Sequence, residues 1–231
     1  MNIKNNLMDY NSNHKHPIIV SLKRGSSIES IHRVHAVVSD KKGRVLMQAG
    51  NPEYETFVRS ALKPFQAIPF LSSGTADKIQ TGEKGIAIAC ASHSGNTQPA
   101  REAFKILWDS NIDVNFLQCP LPPTKTSKLS HNCSGKHAAF LATCKKMNWP
   151  LETYLREDHP LQREIFRLIS DLLKIPQDEL LSARDDCGAP TLRLPLSKIA
   201  ILFAHLSRSD NAELEQINRA MVAQPTLVAG E

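Results

Sequence analysis

Ser60 and Lys63 stand three residues apart where the sequence predicts that a helix begins. Three residues are nearly one helical turn, so the two side chains would share a face and their polar ends could meet. A serine hydroxyl becomes a good nucleophile when a base takes its proton, and lysine is such a base only when neutral. Burial and a helix N-terminus favour the neutral amine. The spacing is typical of an acyl-transfer site, although a solvated helix face gives the same pattern.

A second cluster, Ser92-His93-Ser94, places two hydroxyls and an imidazole after a short apolar run. Such a group could relay protons, orient a carboxamide or donate hydrogen bonds to an oxyanion. The alternative is a helix cap, since Ser94 or Asn96 would precede a helix that begins near Pro99. The residues alone leave both interpretations open.

A third cluster joins thiols and an amine. Cys133 and Lys136 stand three apart at another predicted helix start, where the local field favours a thiolate and a neutral amine. With a third donor they could hold a thiophilic metal such as zinc, and Cys187, before a Gly-x-Pro turn, is the candidate. Because lysine is a rare metal ligand, the alternative is a hydrogen-bonded wall around a substrate. Both interpretations place these groups in a pocket.

Composition indicates a globular protein without a nucleic-acid or membrane partner. The 231 residues carry a net charge of +5, and the basic residues are scattered. No apolar run approaches the roughly 18 residues of a membrane span. Residues 1–16, rich in Asn, His and Lys, are predicted to be a flexible tail rather than a signal peptide, which favours a cytoplasmic location. One domain is expected over residues 17–231.

The five cysteines form an odd count without the regular spacing of a disulfide framework, so reduced thiols are expected. Cys90 and Cys144 lie in apolar or helical settings and are predicted to be core residues.

Periodicity predicts a mixture of strands and helices. Strands are expected at 18–22, 32–39 and 44–48, with a hairpin turn at 40–43, and a buried strand at 85–90. Helices are expected at 99–108, 134–147, 160–174, 196–207 and 212–223. The fold class is therefore α+β, a mainly antiparallel sheet with packed helices.

Four motifs, in this order, resemble the rhizobial-type asparaginase II family: Ser60-x-x-Lys63-Pro-Phe-Gln, Ala89-Cys-Ala-Ser-His-Ser-Gly, His131-Asn-Cys-Ser-Gly-Lys-His and Asp185-Asp-Cys-Gly-Ala-Pro. The resemblance extends from about Ser21 to Glu231. It implies an L-asparagine amidohydrolase with a fold similar to that of serine β-lactamases and bacterial glutaminases. It also implies a homodimer.

The resemblance assigns roles by position. Ser60 matches the nucleophile, Lys63 its activating base and Ser92 the second active-site serine. Zinc would be held by Cys133, Lys136 and Cys187, and would order the pocket rather than generate the nucleophile. Asp185 would pair with the α-ammonium group of the substrate. The residues expected to bind the substrate are Arg59, His93, His131, Asn132, His137 and Asp185.

Two departures from the family pattern accompany the match. Asp186 stands where the family usually has glycine, which adds a negative charge beside Cys187. Family members also continue past the sequence resembling Glu231 into a segment with a further catalytic lysine, the partner of the serine matched by Ser92. The domain is therefore expected to be incomplete at its C-terminus.

Two alternatives to an asparaginase stay open. The first is a catalytically inactive remnant that binds a metal or a partner. The second is a glutaminase or lactam hydrolase with the same mechanism, since one methylene in a pocket is worth only about 1 to 3 kcal/mol.

Overall fold

A computed structural model describes residues 13–14, 16–40, 42–207 and 211–230. The predicted tail, 1–16, falls mostly outside the described residues. Contacts divide the chain into two compact units, one of Met1–Thr56 with Leu194–Ala204 and the other of Phe57–Arg193 with His205–Glu231. The single domain expected over 17–231 stays a prediction.

The first unit opens with short strands, and its pairing is mainly antiparallel. β2 pairs with β3 from Ile18 opposite Val34 to Arg24 opposite Ser27. β4 pairs antiparallel with β5, which confirms the predicted hairpin, and β1 lies parallel to β5. The predicted strand 32–39 is divided, because β3 ends at Val34. The strands are β1 Asn13–His14, β2 Ile18–Arg24, β3 Ser27–Val34, β4 Ala36–Ser39 and β5 Val45–Ala49.

Helices make up most of the second unit, and the helix at 196–206 belongs largely to the first. The segments predicted at 134–147 and 212–223 have those bounds in the structure, and the other three predicted helices agree within two residues. Short 3-10 turns lie at Arg59–Leu62, Val114–Phe116, Lys128–Ser130 and Gln177–Glu179. The α-helices are α1 Lys63–Gln66, α2 Ile68–Ser72, α3 Thr75–Lys78, α4 Gly82–Cys90, α5 Thr97–Asp109, α6 Ser134–Met147, α7 Pro160–Leu173, α8 Leu196–Leu206, α9 Ala212–Ala223 and α10 Pro225–Ala229.

A three-stranded sheet carries the turn that holds Cys187. β7, Leu181–Arg184, pairs antiparallel with β8, Pro190–Pro195, and β6, Glu55–Phe57, is the other neighbour of β8. The turn between β7 and β8 closes through a hydrogen bond from Gly188 N–H to Asp185 O, and Gly188 has a φ of +87°. Glycine suits this backbone because it has no Cβ to clash in the left-handed region. The predicted tight turn is confirmed.

The strand expected at 85–90 is wrong, because these residues form the last two turns of α4. All six are buried. A helix that is buried all round shows no polar face, so its sequence has no helical period to distinguish it from a buried strand. Ala87 and Ala89 favour the helix by propensity, and Gly82, Glu83 and Lys84 add the turn that makes it long enough.

Packed helices and antiparallel sheets give the α+β class that the sequence predicts. α4 lies against α6 and α9. At Gly135 the backbone of α6 approaches α4 so closely that a Cβ there would lie 2.1 Å from Ile88 O. Among the residues that the structure describes, no helix is both long and apolar enough to cross a membrane.

Candidate active site

The amine of Lys63 is the centre of the site. Lys63 begins α1, and only 1% of its surface is exposed. Its Nζ donates to Ala91 O at 2.5 Å, to Ser92 Oγ at 2.8 Å and to Asn132 O at 3.4 Å. The two carbonyl oxygens can only accept hydrogen bonds. The amine also makes a hydrogen-bonding contact with the Cys133 side chain, and Ser92 Oγ is the hydroxyl oxygen that it contacts.

Burial lowers the pKa of the Lys63 ammonium from its ordinary value, and the positive charge of Lys136 lowers it further. The Cys133 thiolate acts in the opposite direction. Burial outweighs the thiolate, because a charged amine loses its hydration in a low-dielectric site. Lys63 is therefore suited to exchange a proton with the neighbouring hydroxyl.

Ser60 lies in the 3-10 turn before Lys63, and the Lys63 N–H donates to Ser60 O. Its side chain is half-buried, whereas Ser92 is exposed. Within the described part of the chain, no hydrogen bond joins the side chains of Ser60 and Lys63. The Lys63 side chain instead donates to the carbonyls of Ala91 and Asn132. These hydrogen bonds hold the amine beside Ser92.

Arg59 connects the start of this turn to the Cys187 turn. Its backbone is left-handed, with a φ of +52°, and its N–H donates to Thr191 Oγ1 at 2.9 Å. A bulky residue in this region is uncommon and often marks a functional site. Its guanidinium lies 3.1 Å from Asp185 Oδ1 and 2.5 Å from Asp186 Oδ2. The Asp185 side chain is 8% exposed and that of Asp186 is 84% exposed, so the residue that departs from the family pattern pairs with Arg59 at the surface.

Cys133, Lys136 and Cys187 come together, as the sequence predicts for a shared pocket. Lys136 Nζ donates to Cys187 Sγ at 3.2 Å. A hydrogen bond from Cys187, together with the charge of Lys136 and a hydrogen bond with Lys63, lowers the pKa of Cys133 to about 6. The same bond raises the pKa of Cys187. Of the two thiols, Cys133 is the one that its surroundings favour as a thiolate, and it lies beside both lysines.

The other cysteines behave as the sequence predicts for core residues. All five are free and buried. Burial raises the pKa of Cys90 and of Cys144 to about 12, so both stay protonated and unreactive.

His137 is fully buried and is held by Tyr154. The Tyr154 hydroxyl accepts from Gln118 N–H and lies 2.6 Å from His137 Nδ1. No other acceptor for the tyrosine proton occurs among the described residues, so Tyr154 donates to Nδ1 and the neutral ring carries its proton on Nε2. Nε2 has no nitrogen or oxygen partner in the described structure. Burial lowers the pKa of His137 to about 4, and a contact with Cys187 opposes this effect.

His131 and Asn132 lead into α6. His131 Nδ1 accepts from Cys133 N–H at 3.0 Å, and burial lowers the pKa of His131. The Asn132 carbonyl accepts from Lys63, while its side chain is exposed. The segment that leads into α6 therefore contacts the amine of Lys63 through Asn132 O and holds the N–H of Cys133 through His131.

His93 is 2% exposed, and both of its ring nitrogens are engaged. Nε2 lies 2.9 Å from Ser134 Oγ, and Nδ1 accepts from Gly95 N–H at 3.1 Å. The cap that the sequence also allowed forms only in part. Asn96 occupies the N-cap position of α5 with an extended backbone, but its side chain makes no capping hydrogen bond.

Sequence reasoning missed Ser134 and Tyr154. Ser134 lies within the third motif, and its position one turn before His137 on α6 could have drawn attention to it. Tyr154 carries no signal in the sequence. A cavity of about 520 Å³ beside α5 has Gly95 and Ser130 in its wall, and neither Lys63 nor Ser92 lines it. The site is identified by its hydrogen bonds.

Comparison with known proteins agrees with the motifs. The family model described as L-asparaginase II matches residues 20–231. A search of curated proteins finds no match. The family match spans most of the chain and includes the Lys63 site, the thiol cluster and the Cys187 turn. The chain belongs to the L-asparaginase II family.

Proposed function

We propose that this protein hydrolyses the side-chain amide of L-asparagine to aspartate and ammonia through a serine acyl-enzyme. The observation that carries the proposal is the buried amine of Lys63, which lies 2.8 Å from Ser92 Oγ. Family membership supports the amidohydrolase activity and a small-molecule substrate. The predicted homodimer and cytoplasmic location stay predictions.

The reaction needs one base and one hydroxyl. Neutral Lys63 takes the proton of the serine while the serine oxygen attacks the amide carbon. The resulting ammonium returns that proton to the departing nitrogen, and ammonia leaves. Water then attacks the ester with the same base, and aspartate is released.

Two hydroxyls compete for the role of nucleophile. Ser60 is the residue that the resemblance assigns to this role, and Ser92 is the residue that Lys63 contacts. We propose Ser92 as the attacking hydroxyl because Lys63 is within hydrogen-bonding reach of its proton. Ser60 remains the alternative.

The nucleophile can be identified by trapping. An asparagine analogue with a diazoketone in place of the side-chain amide should label Ser92, and mass spectrometry of the digested protein locates the label. S92A should lose the label and ammonia release, whereas S60A should keep the label. Labelling at Ser60 in the unmodified protein would return the role to Ser60. Ammonia release from asparagine no faster than from a blank would refute the function itself.

Arg59 and Asp185 are suited to bind the α-carboxylate and α-ammonium groups of the substrate, respectively. They are ion-paired at 3.1 Å. A zwitterionic substrate would exchange this pair for two charge-assisted contacts, which are stronger than neutral hydrogen bonds. Asp186 competes for Arg59 and would weaken its hold on the substrate carboxylate.

The thiol cluster fits zinc. The lowered pKa of Cys133 suits a zinc ligand, because a zinc-bound thiol must be ionised. Nitrogen and sulfur ligands of tetrahedral zinc lie about 3.5 Å apart, close to the 3.2 Å between Lys136 Nζ and Cys187 Sγ. The described residues hold no group of three His, Cys, Asp or Glu side chains suited to a metal, so Lys136 would have to be a ligand. Bound zinc would supply a fixed positive charge that orders the pocket.

Metal content tests this assignment. Protein purified without chelator should contain about one zinc per chain by elemental mass spectrometry, and C187S should retain less than about one tenth of it, because a ligand is lost. C144S, which replaces a buried cysteine of α6 outside the cluster, is the matched control and should retain its zinc. Full zinc content in C187S would contradict the assignment.

A further inference from the structure

Two chain segments meet at the site through the side chains of His93 and Ser134. His93 belongs to the segment 91–96, which follows α4, and Ser134 begins α6. His93 Nε2 lies 2.9 Å from Ser134 Oγ, and Ser134 Oγ donates to Leu129 O at 2.8 Å. Both side chains are almost completely buried.

The direction of each hydrogen bond is determined. Ser134 has one hydroxyl proton and gives it to Leu129 O, so its oxygen must accept from His93 Nε2–H. His93 Nδ1 then carries no proton, which agrees with its acceptance of Gly95 N–H. Burial lowers the pKa of His93 to about 4, so the ring is neutral at physiological pH. No ring nitrogen of His93 is left to bind a substrate.

The reacting groups are direct neighbours of this pair. Ser92 precedes His93, and Cys133 precedes Ser134. Lys63 Nζ bonds to both segments, through Ala91 O and Ser92 Oγ on one side and Asn132 O on the other. A change in the separation of the segments would therefore move the acceptors of Lys63 relative to one another.

Glycines bring α4 and the segment 91–96 close to α6 and to the residues that precede it. A Cβ at Gly95 would lie 2.2 Å from Ser130 O, and one at Gly135 would lie 2.1 Å from Ile88 O. Backbones this close leave little room for the segments to move relative to one another. The hydrogen bond between His93 and Ser134 then restricts the movement that is left.

We propose that the hydrogen bond between His93 and Ser134 positions the nucleophile: it fixes the segment of Ser92 against the segment of Asn132 so that the amine of Lys63 faces the Ser92 hydroxyl. His93 and Ser134 are positioning residues and do not touch the substrate. The inference rests on the proposed function for its kinetic consequences. It differs from the substrate-binding role that the sequence predicts for His93.

Four variants test the pair by steady-state kinetics. S134A and H93N each remove the bond, since asparagine can replace Nδ1 but is too short to reach Ser134. Each should lower kcat about 10- to 100-fold, because a misplacement of about 1 Å costs that much, with KM changed less than about 2-fold. The kcat of the double variant should be within about 3-fold of the kcat of either single variant, because both substitutions remove the same hydrogen bond. H93Q replaces the Nε2 donor and should restore most of the kcat lost in H93N.

T143V is the matched control. Thr143 is buried in α6 and donates to Ala139 O, so its replacement also removes a buried hydroxyl hydrogen bond of that helix. T143V should have the kcat of the unmodified protein, although its loss of thermal stability should be comparable to that of S134A. If His93 binds the substrate instead, H93N and H93Q should both raise KM, and S134A should have nearly normal kinetics. Either result would overturn the proposal.

A crystal structure of S134A separates this inference from the proposed function. The distance from Lys63 Nζ to Ser92 Oγ should exceed hydrogen-bonding distance in the variant. A retained bond of 2.8 Å would refute the positioning role whether or not the protein releases ammonia. Absence of ammonia release from the unmodified protein, with the bond lost in S134A, would refute the activity alone.

Discussion

Replacing Lys63 with methionine should lower kcat for ammonia release from asparagine by about 10²- to 10⁴-fold, the usual contribution of a general base. Methionine fills similar buried space and removes the cost of burying a charge. The carbonyls of Ala91 and Asn132 would lose their donor, which costs about 1 to 3 kcal/mol for a buried acceptor. Ammonia release measured beside thermal unfolding separates lost chemistry from lost fold.

K63R is the matched control for charge. Arginine has donors and a permanent positive charge, because it cannot lose its proton in a protein. Equal inactivity of K63R and K63M would show that the site needs a base and not only a cation. Retention of more than about one tenth of kcat in K63M would exclude Lys63 as the base.

Gly135→Ala should destabilise the protein strongly, with a loss of about 3 kcal/mol in the free energy of unfolding. The added Cβ would lie 2.1 Å from Ile88 O and 2.7 Å from its carbonyl carbon, both backbone atoms of α4. Backbone cannot rotate away as a side chain can, so α4 and α6 would have to separate. A loss of this size corresponds to a fall in Tm of roughly 10 °C in a chain of this length, which calorimetry can measure.

Helix propensity predicts the opposite sign, which makes this substitution informative. Alanine in the middle of an exposed helix is favoured over glycine by about 1 kcal/mol. Gly74→Ala provides a control in which the backbone, and not a contact, is the obstacle. Gly74 has a φ of +68°, and nothing lies within 4 Å of an added Cβ, so the loss there should be about 1 kcal/mol. If G135A proves more stable than the unmodified protein, the close approach of α4 and α6 is incorrect.

Most of the secondary structure could be predicted from local sequence signals. The helix at 134–147 could be predicted because its beginning and its period lie within the segment itself. The helix at 82–90 could not, because the burial of all six residues at 85–90 removes the pattern from which a helix is recognised. Its character depends on what surrounds it, and a short window of sequence does not contain that information.

The candidate site divides in the same way. Residue types and spacing indicated Lys63, Cys133, Lys136 and Cys187, because the chemistry of a base or of a metal site requires particular side chains. The engagement of His93 with Ser134, 41 residues away, has no counterpart in spacing.

By itself the sequence determined the family, the functional groups and most of the helix boundaries. Only the tertiary structure decided which hydroxyl faces the amine of Lys63. The deciding acceptors, Ala91 O and Asn132 O, lie 28 and 69 residues further along the chain. Ser60 is close to Lys63 in sequence, but the amine donates to the two buried carbonyls instead. An unpaired buried polar group costs more free energy than one hydrogen bond contributes. That balance depends on how α1, α4 and α6 pack.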